Sequence, residues 1–372
     1  MSNPTSGNPS ARDHGLPPCR VSIIIKAYNE QANICAAIES SLRAVSQVGG
    51  EVVLADGHST DRTVELAGRY PIRIARLAHA GERCCGVGPQ LGYQHSLGEY
   101  VYLLDGDMQM IPGFLEEALG FLAQHPEVAG VGGRVVEQNL TSLEYRERAL
   151  RAAPHMSPGD VDRLDGGGLY RRRAIEEAGF LSDRNLHSYE EFDLAVRLRA
   201  AGWKLGRIPA DAVTHYGHDA PPYALLRRRW RTRYVDGLGE LLRGAIGRPH
   251  MKLVLRDMRE LRIYCVVIAW WITLATIAFW PVSAPARAAL FAGLLVAPFA
   301  LMAWRKKSWP RAAYSVTSWC FHAAGMVRGL LTPRKRADAA IPCHIVREPQ
   351  ACGPAGPTPT SIQTPARQQQ YT

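Results

Sequence analysis

Two carboxylates one glycine apart, Asp105-Gly106-Asp107, directly follow the apolar run Tyr100-Val101-Tyr102-Leu103-Leu104. A buried strand that stops in acids puts charge at the carboxyl edge of a sheet, which is where open α/β sheets bind ligands. Two acids there hold a divalent cation, and a cation there holds a diphosphate. An isolated Asp-x-Asp is more often a solvated turn, but this one has company. Ala27-Tyr28-Asn29-Glu30 ends an earlier apolar run, Asp56-Gly57-His58-Ser59-Thr60-Asp61-Arg62-Thr63 ends a second, and Tyr189-Glu190-Glu191-Phe192-Asp193-Leu194 opens a later helix. An aromatic ring and a carboxylate hold a nucleobase by stacking and hydrogen bonding, and an acid binds a ribose hydroxyl. The aspartate pair offers hard oxygen ligands to magnesium or manganese. A carboxylate at the start of the later helix is placed to take a proton from an incoming hydroxyl.

These motifs need a scaffold that brings them to one crevice, and the first half of the chain supplies one. Residues 20–27 and 51–55 are β-branched strand-like runs, residues 72–77 and 100–105 add two more, helical periodicity fills residues 29–45 and the segment around 64–67, and a glycine-rich segment, 81–92, precedes a further helix. Strand and helix alternate at βαβ spacing, which predicts an α/β fold with a twisted, mostly parallel sheet covered on both faces. Further on, residues 114–125 read as a helix, 128–136 as a strand, 189–200 as a helix and 203–208 as a strand. Neither GxxxxGK[ST] nor GxGxxG occurs, which argues against ATPase and dinucleotide-dehydrogenase chemistry.

The 372 residues carry a formal net charge of +10 and a pI near 9.3. The excess is local: Arg227, Arg228, Arg229, Arg231 and Arg233 cluster, and further arginines lead into apolar sequence. An anionic membrane surface is the natural partner of such a stretch. No nucleic-acid partner is expected, since no recognition module accompanies the basic residues. Residues 263–280 and 288–304 contain no charge. At 1.5 Å per residue, about 18 helical residues reach roughly 27 Å, near the hydrocarbon thickness of a bilayer. Basic residues lie outside the pair, with Arg287 the one charge between them; by the positive-inside rule both long segments face the cytoplasm. Residues 312–331 read as an interfacial helix, with a third span as the alternative. The eight cysteines form no Cys-x-x-Cys pair, so reduced thiols are expected. Residues 1–19 and 332–372 read as disordered, the first without a signal-peptide core.

In this order, AYNE, DGHSTDRT, LLDGDM, GGGLYRR, YEEFDLAVRLRAAGW and RRRW resemble the family 2 glycosyltransferases over roughly residues 21–235. The resemblance implies a GT-A fold, inversion at the anomeric centre, a nucleotide-diphosphate sugar donor and a divalent metal, Mn2+ or Mg2+. It implies that Tyr28, Glu30 and Asp56 hold the base and Asp105 the ribose region, with Ala27 and Gly106 completing the donor rim. Asp107 then holds the metal, with Asp105 and His215 as further candidate ligands. Glu191 stands at the catalytic base position, and Glu190 or Asp193 could share that role. Gly167 and Gly168 imply an acceptor-site floor. The family's usual proline before Tyr-Asn-Glu is replaced by Ala27, with Lys26 beside it, and the common Ala-Arg-Asn segment by Gly88-Pro89-Gln90-Leu91-Gly92. Arg83 is the substitute expected for the missing basic contact. Arg229 is a candidate for the diphosphate or a lipid-linked pyrophosphate, and Trp230 for a sugar face. Processive members carry Gln-x-x-Arg-Trp, but Leu226 stands at the glutamine position here, so transfer of a single sugar is expected.

The sequence thus predicts a catalytic domain at 20–235, basic juxtamembrane helices at 236–262 and a membrane region at 263–331. The expected protein is an inner-membrane glycosyltransferase, active on the cytoplasmic face, that uses a lipid-linked or saccharide acceptor in polysaccharide, glycolipid or cell-envelope assembly. A polyprenyl-phosphate sugar synthase and a non-catalytic nucleotide-sugar-binding scaffold are the alternatives.

Overall fold

The computed structural model describes residues 19–138, 154–217 and 221–349. The first half winds as β1 (Val21–Ala27), α1 (Ile34–Val48), β2 (Gly50–Asp56), α2 (Thr63–Ala67), β3 (Arg73–Leu77), α3 (Val87–Gln94) and β4 (Tyr100–Asp105). β5 (Met108–Met110), α4 (Phe114–Gln124), β6 (Val128–Glu137), β7 (Gly159–Val161), β8 (Gly168–Arg171), α5 (Arg172–Glu177), α6 (Glu190–Ala200) and β9 (Lys204–His215) complete the α/β body. After it come α7 (Pro222–Arg231), α8 (Gly237–Ala245), α9 (Met251–Asp257), α10 (Glu260–Ala278), α11 (Ala284–Lys306), α12 (Trp309–Leu331) and a last strand, β10 (Cys343–Arg347).

The strands join one mixed sheet in the order β10-β3-β2-β1-β4-β8-β6-β9-β5, with β7 on β9. The parallel character expected from βαβ spacing holds for β3, β2, β1 and β4. β8 then runs antiparallel to both β4 and β6, so the second half is mixed. β1 shows why its sequence has no alternation: Val21, Ile23, Ile24 and Ile25 are all fully buried, because helices cover both faces. One apolar cluster lies between the sheet and α1 and α4, and a second, containing Val87, Leu91, Leu194 and Leu198, fills the other face. Register aligns the rim: Ala27 stands opposite Asp56, and Lys26 opposite Asp105.

Three departures from the sequence reading have physical causes. α1 begins at Ile34, not Asn29. Residues 29–31 are instead tied to the next loop: the Asn29, Glu30 and Gln31 N–H groups donate to Ser59, Thr63 and Asp61 side chains. The stretch after Thr332 is not wholly a solvated extension. β10 pairs antiparallel with β3 and covers a sheet edge, and Ile341 beside it is buried. The helix expected at 312–331 starts at Trp309 and lies along α8 and α10, burying Ala323 and Met326 against Leu238 and Leu241. Its approach is close: a Cβ on Gly239 would stand 1.9 Å from the Met326 carbonyl oxygen. Arg328 donates to the fully buried Asp236 at 2.6 Å, fixing the helix in place.

Candidate active site

Four chain segments converge at the carboxyl rim of the parallel strands. On the donor side, the loop after β1 and the loop after β2 are laced together by side-chain hydrogen bonds, including Thr60 N–H to Asn29 Oδ1 at 2.8 Å. Asn29 and His58 hold φ of 57° and 67° there, and Tyr189, which precedes α6, holds 69°. Left-handed residues other than glycine cluster at functional loops because the surrounding structure must over-determine them. Asp56 is fully buried; its Oδ2 accepts from the Ser59 N–H at 3.0 Å and lies 3.5 Å from Arg76, whereas its Oδ1 has no partner. Such a buried acceptor wants a donor. Tyr28 is exposed beside it, with the Arg83 guanidinium 3.6 Å above its ring. Arg83 therefore stands at the stacking face of Tyr28. Gly106 lets Glu30 and Ala27 close on the rim, since a Cβ there would lie 2.8 Å from Glu30 Cγ and 3.1 Å from Ala27 Cβ.

The two aspartates of Asp105-Gly106-Asp107 have different partners. Asp105 Oδ1 is 3.1 Å from Lys26 Nζ. Asp107 Oδ2 is 3.4 Å from His215 Nε2, and His215 Nδ1 is 2.6 Å from Glu137 Oε2. Strand pairing builds this second cluster: Met108 and Glu137 both stand opposite His215. Burial alone would lower the His215 pKa, but bonding to Asp107 and Glu137 lifts it to about 9. Among the described residues no three His, Cys, Asp or Glu side chains form a cation cage. Of the expected ligands Asp105, Asp107 and His215, the last two face each other, while Asp105 lies against Lys26. A carboxylate oxygen and an imidazole nitrogen facing each other fit a divalent cation whose remaining positions a diphosphate or water would fill. Glu137 behind His215 is the usual carboxylate support for such an imidazole. Sequence reading missed Glu137, although the signal was the one that found Asp105: an apolar strand ending in an acid.

On the acceptor side, α6 begins at Glu190, whose Oε1 is 3.4 Å from Lys26 Nζ. Glu191 is next, half-buried, and its pKa is pushed up to about 8. Burial is the main cause; Lys26 opposes it, while Asp165, Glu190 and Asp105 add to it. Asp193 does not belong to this group, which corrects the expectation that it shares the base role. It is buried on the far face of α6 in an ion pair with Arg197 at 2.8 Å, and Arg197 also donates to the Phe180 and Leu181 carbonyls. A residue two places after Glu191 on a helix points away from it.

Gly167, with φ of 97°, starts the turn into β8, and a Cβ there would lie 2.7 Å from the Leu103 carbonyl oxygen. Gly168 follows in β8, paired with Leu103. Asp165 just before them is bound by Arg163 at 2.9 Å and His155 at 3.0 Å. Trp230 is not open on both faces: Arg328 covers its ring at 4.1 Å, and Phe321 meets it edge-on at 5.3 Å. Arg229 lies over the Tyr234 ring at 5.3 Å. His218, three residues after His215 in the sequence, lies outside the described residues.

Comparison with known proteins bears on the family and the fold. Residues 22–179 match the family model Glycosyl transferase family 2, so over that stretch the chain is similar to the family 2 glycosyltransferases. Its fold is GT-A-like. EpsE of Bacillus subtilis (strain 168), assigned as a glycosyltransferase, is 27% identical over 197 residues, 50% of this chain and 68% of that protein. The undecaprenyl-phosphate 4-deoxy-4-formamido-L-arabinose transferase of Pectobacterium carotovorum subsp. carotovorum (strain PC1) is 29% identical over 140 residues, 35% of this chain and 41% of the relative. The match thus spans less than half of that relative. Among solved structures, the mannosyltransferase PcManGT from Pyrobaculum calidifontis, in complex with GDP-Man and Mn2+, superposes with a TM-score of 0.56 at 20% identity. It covers 86% of this chain and 91% of that one, a likeness of fold.

Proposed function

We propose that this chain is a membrane-anchored, metal-dependent inverting glycosyltransferase that moves one sugar from a nucleotide-diphosphate donor to a hydroxyl of a lipid-linked acceptor. The observation that carries the reading is the convergence on one sheet rim of a nucleotide-type pocket, a carboxylate–imidazole pair and a raised-pKa glutamate at a helix start. In this reading the base stacks at Tyr28, sharing or taking the face that Arg83 covers, and hydrogen-bonds to Asp56 Oδ1. Asp107 and His215 hold the cation, which when bound neutralises the departing diphosphate. Glu191 takes the proton of the acceptor hydroxyl, whose oxygen attacks the anomeric carbon as the bond to the diphosphate breaks. One displacement inverts that centre, and the proton stays on Glu191 until solvent removes it.

Support for the membrane comes from α10 and α11. Both have a mean hydropathy of 1.8 across their most apolar windows, and only 17% and 11% of those windows are buried within the protein. A soluble core helix would be covered; these are not. Basic residues at both outer ends favour a catalytic domain on the cytoplasmic face of a bacterial-type inner membrane. The Pectobacterium relative, named for transfer to undecaprenyl phosphate, favours one second reading, in which the acceptor is a polyprenyl phosphate. A phosphate oxygen needs no general base, so a Glu191→Gln variant distinguishes the two: full activity supports the phosphate acceptor, and severe loss supports a hydroxyl. The direct test of the function incubates the purified chain with Mn2+ and a panel of UDP-, GDP- and dTDP-linked sugars. Release of nucleoside diphosphate from one donor is expected. Release of pyrophosphate instead would make it a nucleotidyltransferase.

A further inference from the structure

The last turn of the rim carries a cation that neither the donor pocket nor the cation pair uses. Lys26 Nζ lies 3.1 Å from Asp105 Oδ1 and 3.4 Å from Glu190 Oε1, and its side chain is only 17% exposed. These two acids belong to different motifs: Asp105 ends β4 on the donor side, and Glu190 opens α6 beside the candidate base. The chain makes room for the lysine. Gly88 of α3 faces its stem, and a Cβ there would lie 3.1 Å from Lys26 Cβ. An ammonium held between two acids remains charged: burial would lower its pKa, but the charges of Asp105, Glu190 and Glu191 raise it well above the usual lysine value.

We propose that Lys26 is a positioning residue for transfer: its ammonium pins the start of α6 to the Asp-x-Asp rim, holding the proton acceptor at a fixed separation from the diphosphate site. The proposal rests on the reading of Glu191 as base. Several groups act on Glu191: Lys26 from β1, Asp105 and Tyr102 from β4, Glu190 from α6, Asp165 and Tyr170 at β8, and Arg207 from β9. Asp165 is engaged by Arg163 and His155, and Arg207 donates to the Gly133, His155 and Asp165 carbonyls. Lys26 is the group in this set that touches acids of both motifs.

The test compares Lys26→Met, Lys26→Arg, Glu190→Gln and Glu191→Gln in the full chain, with Mn2+ and the donor that turns over in the panel above. Nucleoside diphosphate released to water is followed against pH. Lys26→Met is expected to lower kcat about 10- to 100-fold through misplacement with donor KM changed less than about threefold. The acid limb of kcat/KM should also move up by about one pH unit or more, since a neighbouring cation is lost. Lys26→Arg should return the limb toward its original position. Glu190→Gln should move it the other way, because a like charge beside Glu191 is removed. An unmoved limb in Lys26→Met, or an equal loss in kcat and donor affinity that arginine does not repair, overturns the proposal. Should Lys26→Met not fold, Glu190→Gln decides, and an unmoved limb there also overturns it. Full activity in Glu191→Gln, or no release from any donor by the unaltered chain, overturns the base reading and the proposal with it. An inactive Glu191→Gln with an unmoved Lys26→Met profile removes the role of Lys26 alone.

Discussion

Glu191 accepts a proton only when ionised, and burial among acids holds its pKa at about 8. Below that pH most of the population is protonated, so kcat/KM should rise with pH and level off above about 8, as a pH–rate profile will report. Glu191→Gln should cost on the order of 10²- to 10⁴-fold in kcat. Asp193, two residues away, should behave differently. Removing its charge strands Arg197 in the core, so Asp193→Ala should destabilise by about 3–5 kcal/mol, read by chemical denaturation. Activity per folded molecule should be retained. Both are acids of one short motif, and only three-dimensional packing separates the proposed base from the brace; spacing alone left both in play. Glu137→Gln should weaken Mn2+ binding by roughly 10- to 100-fold, measured by titration without donor, because His215 loses the carboxylate that orients it.

At the scale of elements, the donor half was legible because β1, β2 and β4 each end in a chemical signature. Apolar runs stopping at Ala27, Asp56 and Asp105 fixed both the strands and the rim, and register then aligned them. The start of α1 was less legible, since residues 29–31 fit the helical period but spend their N–H groups on the neighbouring loop. β10 was hidden by composition: it lies in a Pro- and Arg-rich stretch and is a strand only because β3 offers an unpaired edge. α12 was legible as a helix but not as a clamp, because its glycine contacts with α8 are made by backbone. Gly239→Val should therefore force α8 and α12 apart. A loss of about 1–3 kcal/mol or more is expected for overpacking, seen as a lowered melting temperature in detergent.

Across the whole molecule, the catalytic body and the apolar hairpin are joined through α12 and α8, not merely tethered by sequence. Tyr264 and Val267 near the start of α10 are buried against the cluster that also holds Phe192 of α6. The base helix thus sits directly beside the first apolar helix, a sensible place to meet an acceptor whose tail lies in lipid. The chain should remain in the membrane pellet through alkaline carbonate extraction; release into the supernatant would remove the anchor. The measurement that bears most directly on the central claim is donor turnover by three forms of the full chain: unaltered, Asp107→Asn and Glu191→Gln. Each would be supplied with saturating Mn2+ and a nucleotide sugar while free nucleoside diphosphate is quantified. The account predicts release by the unaltered chain and near-complete loss in both variants, Asp107→Asn by weakened cation binding and Glu191→Gln by a lost proton acceptor. Undiminished release by Asp107→Asn would contradict it.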